Sequence, residues 1–388
     1  MQLLDICELI IDCEHKTAPT QEKGYPSIRT PNIGRGHFIL DGVNRVSEST
    51  YSLWTKRAVP MPGDLIMARE APVGNVAMIP DGLRPCLGQR TLLIRPDRAK
   101  VEPSFLNFFL NGPHVQGLIH AKTNGATVAH LNMKDVRTMD LPTLPPLPIQ
   151  RRIAGILSAY DELIVNSQRR IKILESMARA LYREWFVHFR FPGHEHHPRV
   201  PSPLGEIPKG WEVGRLDDVS VLQRGFDLPK ASRTEGTVPI IAATGVTGFH
   251  NEAKVKAPGV VTGRSGTIGE VLYVQEDFWP LNTSLWVKEF PKSEPIYAYY
   301  LISSLDLKQF NSGAAVPTLN RNDIHGIQVV VPPGDLQKRF QEIAGAMLAQ
   351  SRTLDLKNQN LRRTRDLLLP RLLSGQVELR PNGAMNTP

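Results

Sequence analysis

The sequence predicts an α+β protein: two similar mixed α/β units separated by two long antiparallel coiled-coil helices, the halves related by a pseudo-twofold axis. Three observations lead there. An offset of 187 to 195 residues superimposes the first half of the 388-residue chain on the second. Short apolar runs between Gly and Pro signals, which are strand-like, recur in the same order in both halves. Each half then ends in a long amphipathic helix. The period far exceeds the roughly 20 to 50 residues of a solenoid repeat, so it marks duplicated domains.

The clearest repeat pairs Gly125-Ala126-Thr127-Val128-Ala129-His130-Leu131-Asn132 with Gly313-Ala314-Ala315-Val316-Pro317-Thr318-Leu319-Asn320, and the register continues to Asp135-Val136 opposite Asp323-Ile324. Beyond it, Leu144 to Ile153 aligns with Val331 to Phe340, so motif, proline break and helix follow in one order.

In unit one, residues 1–145, strands are expected at Leu65–Ala68 after Pro62-Gly63-Asp64, at Val76–Ile79 after Pro72-Val73-Gly74, and at Leu92–Ile94. A helix follows from Pro103 to Leu110, with Ser104 at its start and Gly112-Pro113 at its end. Unit two, residues 213–331, replays this order with Pro258 to Val261, Val271–Val274, Ser284–Val287 and a helix from Pro295 to Leu301. Between the first long helix (146–188) and unit two lies residues 189–212, a Pro- and Gly-rich linker whose composition resists helix and sheet alike. Its Gly193-His194-Glu195-His196-His197 cluster reads as a solvated loop, with metal binding as the alternative. The second long helix occupies 332–376 and a tail occupies 377–388.

The helices show a seam. Phe340, Met347, Leu354, Leu361 and Leu368 fall at seven-residue intervals, with Ile343 at the intermediate position. The matching column in the first helix is Ile153, Tyr160, Ser167, Leu174 and Leu181, flanked by Ile156, Leu163 and Met177. Ser167, Arg170, Gln350, Lys357 and Asn358 interrupt the seam, a means of fixing register at some cost in stability. From Gln150 to Phe186 the first helix spans roughly 55 Å at about 1.5 Å per residue, longer than one unit's core needs. Antiparallel pairing of the two helices is the preferred arrangement; folding of each helix back on its own unit is the alternative.

An apolar fraction of 41% and a charged fraction of 22% are those of a globular protein, and no apolar run nears the roughly 20 residues that span a bilayer. The beginning, interrupted by Asp5, Glu8 and Asp12, is unlike a secretory signal, and the expected location is cytoplasmic. Cys7, Cys13 and Cys86 form no CxxC pair, which fits buried thiols in a reducing compartment. The formal charge of +8 favours a polyanionic partner.

Motifs for chemistry are sparse. Gly263-Arg264-Ser265-Gly266-Thr267-Ile268-Gly269 has the glycines of a phosphate loop but no Walker lysine followed by Ser or Thr. Its counterpart from Met67 to Gly74 keeps an arginine and the last glycine, so a duplicated turn carrying a basic side chain is the better reading. No GxGxxG follows a strand, no Asn-Pro-Pro-Tyr or Asp-Pro-Pro-Tyr segment occurs, and the carboxylates lack metal-nuclease spacing. The expectation is that this chain has no catalytic residues, no metal and no cofactor of its own.

The segments Pro145 to Ile153, Met177 to Phe186 and Arg365 to Gly375, with the opening Gly205-Glu206-Ile207-Pro208-Lys209-Gly210-Trp211, resemble the specificity subunit of type I restriction-modification enzymes over nearly the whole chain. The resemblance implies two target recognition domains, each reading one half of a split double-stranded DNA sequence, with the helices setting the gap. It also implies two methyltransferase subunits, which bind S-adenosylmethionine and methylate adenine, and restriction/motor subunits using ATP and Mg2+. This chain then supplies specificity and its partners the chemistry, with no membrane involved. Phosphate contacts orient a protein on DNA and base-edge contacts carry sequence information. Candidate contacts are Arg29, Arg35, Arg69 and Arg90 in unit one and Arg224, Arg233, Lys254 and Arg264 in unit two, each equally readable as a solvated surface charge. Tyr182, Trp185, Phe186 and Phe189 offer stacking surfaces, but their place at the end of an amphipathic helix favours packing. A coiled-coil scaffold with incidental basic charge is the alternative function, and an autonomous metal-dependent nuclease a third.

Overall fold

The computed structural model describes residues 1–123, 129–373, 376–379 and 385–386; Gly125 to Val128 of the repeated motif and Ser374-Gly375 lie outside the described residues. The chain divides into two compact units, one of Met1–Ser167 with Leu356–Pro388 and one of Gln168–Asp355. The division falls inside both long helices.

Unit one comprises β1 (Cys7–Asp12), β2 (Tyr25–Ile28), β3 (Arg45–Val46), α1 (Glu48–Trp54), β4 (Leu65–Ala68), β5 (Val76–Met78), β6 (Cys86–Leu87), β7 (Thr91–Pro96), α2 (Pro103–Asn111), α3 (Pro113–Ala121), α4 (Met133–Arg137) and the beginning of α5 (Leu147–Tyr182). An antiparallel sheet runs in the order β1-β7-β4-β5, beside a smaller sheet β3-β2-β6 in which β2 and β6 are parallel. All four residues of β4 are inaccessible because both faces of the strand are covered. Leu65 and Met67 join Phe105, Leu106 and Phe109 of α2, while Ile66 and Ala68 join Ile28 and Leu93. A strand covered on both sides reads as a continuous apolar run, which is how β4 appears in the sequence. Helix α2 starts at Pro103, not Ser104, since proline suits the first helical position, where its missing N–H has no partner to lose.

Unit two holds the end of α5, then β8 (Arg199–Ser202), β9 (Gly205–Pro208), β10 (Glu212–Arg215), α6 (Leu216–Val219), β11 (Val221–Arg224), β12 (Val238–Ala242), β13 (Gly245–His250), β14 (Gly259–Gly263), β15 (Val271–Val274), β16 (Trp279–Pro280), β17 (Ser284–Glu289), α7 (Pro295–Ser304), α8 (Arg321–His325), β18 (Gln328–Val331) and the beginning of α9 (Gly334–Leu373). Its sheets run β11-β17-β14-β15 and β13-β12-β16, with β12 and β16 parallel. These two sheets repeat those of unit one strand for strand, so the duplication inferred from the sequence is a duplication of fold; the β8–β9 hairpin and a two-stranded β10–β18 ribbon are additions in unit two.

Residues 189–212 are not an unstructured linker. Val200 pairs with Ile207 in the β8–β9 hairpin, closed through Gly205 at φ +98°, and Phe191, Ile207 and Trp211 enter the core of unit two. Pro201 and Pro208 are tolerated because a two-stranded ribbon leaves backbone N–H positions free of ladder bonds. In the histidine cluster, His194 Nδ1 donates to the Phe191 carbonyl at 2.8 Å and His197 Nε2 to the Lys209 carbonyl at 2.7 Å, so both rings serve local structure.

The two helices pair antiparallel within each unit. In unit one, Ile153, Ala154 and Leu157 of α5 share a core with Leu369 and Leu372 of α9, and Arg365 forms an ion pair with Asp161. In unit two, Ala178 and Tyr182 share a core with Phe340, Ala344 and Leu348, and Ser351 donates to Glu175 at 3.4 Å. The same segments also wall the cores of their units, Phe340 meeting Tyr300 and Ile153 sharing a cluster with Phe105.

Of the seam residues, Ile153, Phe340 and Leu354 are buried, and Tyr160, Leu174, Leu181, Met347, Leu361 and Leu368 are half-buried. The companion column differs from the sequence reading. Leu163 and Met177 are 48% and 49% exposed and Ile343 is 42% exposed, whereas Leu157, Ile164 and Ala178 are buried. The companion therefore lies four residues after the first column, the spacing of adjacent turns on one helix face. In α9 it runs Ala344, Ser351, Asn358, Arg365 and Leu372, too polar in the middle to register as a hydrophobic stripe.

Candidate nucleic-acid interface

The candidate basic residues separate into locked and open groups. In unit one, Arg69 is locked: its Nη1 donates to Asp12 Oδ2 at 2.6 Å and its Nε to the Leu131 carbonyl at 2.8 Å. Only 13% of its side chain is exposed, and the geometry ties β1, β4 and the segment before α4 together. Arg90, at φ +64°, pairs with Glu70 at 3.2 Å. Arg29 is exposed after β2, and Arg35 lies beside Asp161 and Arg365 in a pocket of about 160 Å³.

In unit two, Arg224 and Arg264 come together. They wall a cleft of about 770 Å³ with Gln223, Asn320, Asn322 and a third arginine, Arg321, which the sequence reading did not single out. Arg264 is positioned by its backbone, its N–H donating to Thr283 at 2.8 Å and its carbonyl accepting from Leu319 N–H at 2.8 Å. Its Nη1 donates to the Asn282 carbonyl at 3.2 Å. Arg224 is half exposed and stands 3.8 Å from Asp227, whose carboxylate also accepts from the Asn282 amide. Arg321 opens α8 on the solvent side and makes no ion pair among the described residues. Arg233 and Lys254 lie elsewhere: Arg233 donates to the Leu228 carbonyl at 3.4 Å, and Lys254 pairs with Glu252 and stands over the Trp279 ring at 4.8 Å. A signal for Arg321 existed, since the aligned repeat places it opposite Met133.

At the end of α8, His325 Nε2 accepts a hydrogen bond from Leu222 N–H at 3.1 Å, which requires the neutral ring. Burial lowers its pKa, the Asp217 carboxylate opposes that shift, and the Arg321 charge adds to it. The glycine-rich turn is structural. A Cβ on Gly263 would stand 1.8 Å from the Thr267 carbonyl oxygen, so glycine permits the strand and its turn to close.

Asp12, Cys13 and His15 cluster closely enough to suggest a metal centre. Asp12 is already neutralised by Arg69, and burial raises the Cys13 pKa, disfavouring the thiolate that metals bind. The Tyr182, Trp185 and Phe186 cluster packs in unit two against Tyr297, Tyr300 and Phe340, with burial pushing the Tyr182 hydroxyl up to about 12. Its aromatic faces are occupied by protein. Among the described residues no helix is long and apolar enough to cross a membrane.

One α+β topology built twice in a single chain, sharing two long helices and carrying an arginine-walled cleft, defines a tandem-domain binding module. The family model for the type I restriction modification DNA specificity domain matches residues 1–176 and 208–362. The chain belongs to this family of type I restriction-modification specificity subunits. It is 24% identical over 366 residues to the type I restriction enzyme MjaIX specificity subunit of Methanocaldococcus jannaschii, covering 88% of this chain and 84% of that protein. It is 21% identical over 371 residues to the type I restriction enzyme HindI specificity subunit of Haemophilus influenzae, covering 74% and 80%. Its fold is similar to the crystal structure of a type I restriction-modification system S subunit from M. genitalium, with a TM-score of 0.64, 16% identity and coverage of 96% and 95%.

Proposed function

We propose that the chain is the DNA-reading subunit of its complex: each unit reads one half of a bipartite double-stranded target, and α5 and α9 set the gap and dock two methyltransferase subunits. The observation that carries this reading is the duplication of both principal sheets within a chain of the specificity-subunit family. Two copies of one fold with different surface residues suit two different half-targets, and the formal charge of +8 suits a polyanion. The methyltransferase partners bind S-adenosylmethionine, and the restriction subunits use ATP and Mg2+. This chain contributes sequence selection to the complex and takes no part in its bond-breaking steps. Target recognition domain one corresponds to residues 1–145 and domain two to residues 213–331.

Replacing residues 1–145 by the corresponding unit of another family member tests the reading. Adenine methylation mapped across the genome should show one half of the target changed and the other retained. Change in both halves would contradict modular reading. Salt titration separates this function from a scaffold role, because neutralising phosphates makes log affinity fall linearly with log salt.

A further inference from the structure

Of three equivalent positions, the two units share an arginine at one and carry different charges at the other two. Asp12 stands opposite Leu92 in the first sheet, and Arg224 stands opposite Leu285 in the second. The residues just before those partners, Thr91 and Ser284, pair with Ala68 and Gly263, which immediately precede Arg69 and Arg264. Leu131 N–H donates to the Arg69 carbonyl at 2.9 Å, as Leu319 N–H does to that of Arg264. Two residues further, Met133 and Arg321 each open a short helix behind an asparagine cap. The set Asp12, Arg69, Met133 thus corresponds to Arg224, Arg264, Arg321.

In unit one the acid and arginine neutralise each other at 2.6 Å and Met133 packs against the core. In unit two the same place is walled by three arginines, with Asp227 as the acid lining the cleft. Like charges brought together raise each other's energy, and an anion in the cleft relieves that repulsion. Arginine forks match phosphate oxygens bidentately.

We propose that the cleft of Arg224, Arg264 and Arg321 is a seat for DNA backbone phosphates, and that the Asp12–Arg69 lock closes the equivalent place in unit one, so the two units grip DNA unequally. This rests on the DNA-reading function above. Unit two supplies phosphate anchoring at this position, while unit one must engage its half-target through other residues.

The test uses the complete complex with its methyltransferase partner, titrated against salt on a duplex carrying the wild-type methylated site. Arg224→Asp transplants the lock of unit one: it removes one contact and pairs with Arg264, so the slope of log affinity against log salt should fall by about 1.8, two phosphates at about 0.9 each. Arg321→Met installs the residue of unit one at an exposed position that does not threaten folding, and should lower the slope by about 0.9. Affinity should drop to a similar extent on duplexes of different sequence. Unchanged slopes for both variants beside a steep wild-type slope would overturn the cleft assignment and leave the DNA-reading function standing. Loss of discrimination at a single base pair without a change in slope would also overturn it, assigning the arginines to base edges. A flat salt response from the wild-type complex would remove the reading on which the proposal rests.

Discussion

Gln150 and Gln337 make the same three hydrogen bonds in the two units. Gln150 Oε1 accepts from Glu102 N–H at 2.9 Å, and its Nε2 donates to the Lys100 and Pro145 carbonyls at 3.3 and 2.8 Å. Gln337 Oε1 accepts from Glu294 N–H at 3.0 Å, and its Nε2 donates to the Lys292 and Pro332 carbonyls at 3.1 and 2.9 Å. Each amide, 1% and 2% exposed, fastens the first turn of a long helix to the start of α2 or α7. Gln150→Leu or Gln337→Leu keeps much of the volume and strands one N–H and two carbonyls, at a cost of roughly 2 to 3 kcal/mol. Chemical denaturation followed by hydrogen exchange should show the loss in the unit that carries the change. A loss below about 0.5 kcal/mol would mean that water replaces the amide.

Asp64 and Arg95 form an enclosed ion pair in unit one, with side chains 4% and 17% exposed. Arg95 Nε and Nη2 donate to the two carboxylate oxygens at 2.9 and 2.7 Å, and Met61 N–H donates to the same carboxylate at 2.9 Å. The hydrogen bonds to Asp64 raise the Arg95 pKa. Removing one member of such a pair leaves an uncompensated charge, so Asp64→Ala should destabilise the protein by about 3 kcal/mol, measurable as a lower urea midpoint. An unchanged midpoint would show that the guanidinium swings to water without cost.

What the sequence disclosed follows from which forces are local. Strands β4, β5, β14 and β15 stood out because doubly covered strands are apolar runs bounded by Gly and Pro turns. The long helices stood out because one column keeps a seven-residue period. Their companion column escaped because Ser351, Asn358 and Arg365 occupy it, with Arg365 neutralised by Asp161 across the helix pair. The β8–β9 hairpin escaped because Pro201 and Pro208 mask a strand pattern. Arg69 looked equivalent to Arg264 because the acid that locks it is 57 residues away in sequence. Long-range pairing of this kind leaves no mark in local composition.

His325 gives unit two a calculable acid response. Burial holds its pKa below the ordinary value of 6.5, and Leu222 N–H donates to the ring nitrogen that a proton would occupy. Above about pH 6.5 both folded and unfolded chains hold the ring neutral, and this contribution to stability is fully present. As pH falls through 6.5 to the lowered value, the unfolded chain takes up the proton first and the contribution is lost. His325→Gln can still accept from Leu222, so its stability should vary less with pH between about 7 and 5 than that of the wild type. Equal pH dependence in both proteins would remove His325 as the cause.

Under the proposed function, the seam sets a rule for changing the gap between half-targets. Both columns repeat every seven residues, so an inserted heptad returns each seam residue close to its original face, whereas four residues turn the helix by about 40° beyond a full turn at roughly 100° per residue. One heptad between Ser167 and Gln168 and another between Asp355 and Leu356 lengthens each helix by about 10 Å at about 1.5 Å per residue. If α5 and α9 set the gap, the methylated target should gain about three base pairs at about 3.4 Å each, with both half-sequences unchanged. Four-residue insertions, about 6 Å, should add close to two base pairs while lowering stability, because they turn Leu157 and Arg365 out of line with the seam residues beyond the insertion. Methylation mapping reads the gap directly, and thermal denaturation reads the packing. A gap unchanged by the heptads in a complex that still methylates DNA would show that something other than these helices sets the spacing.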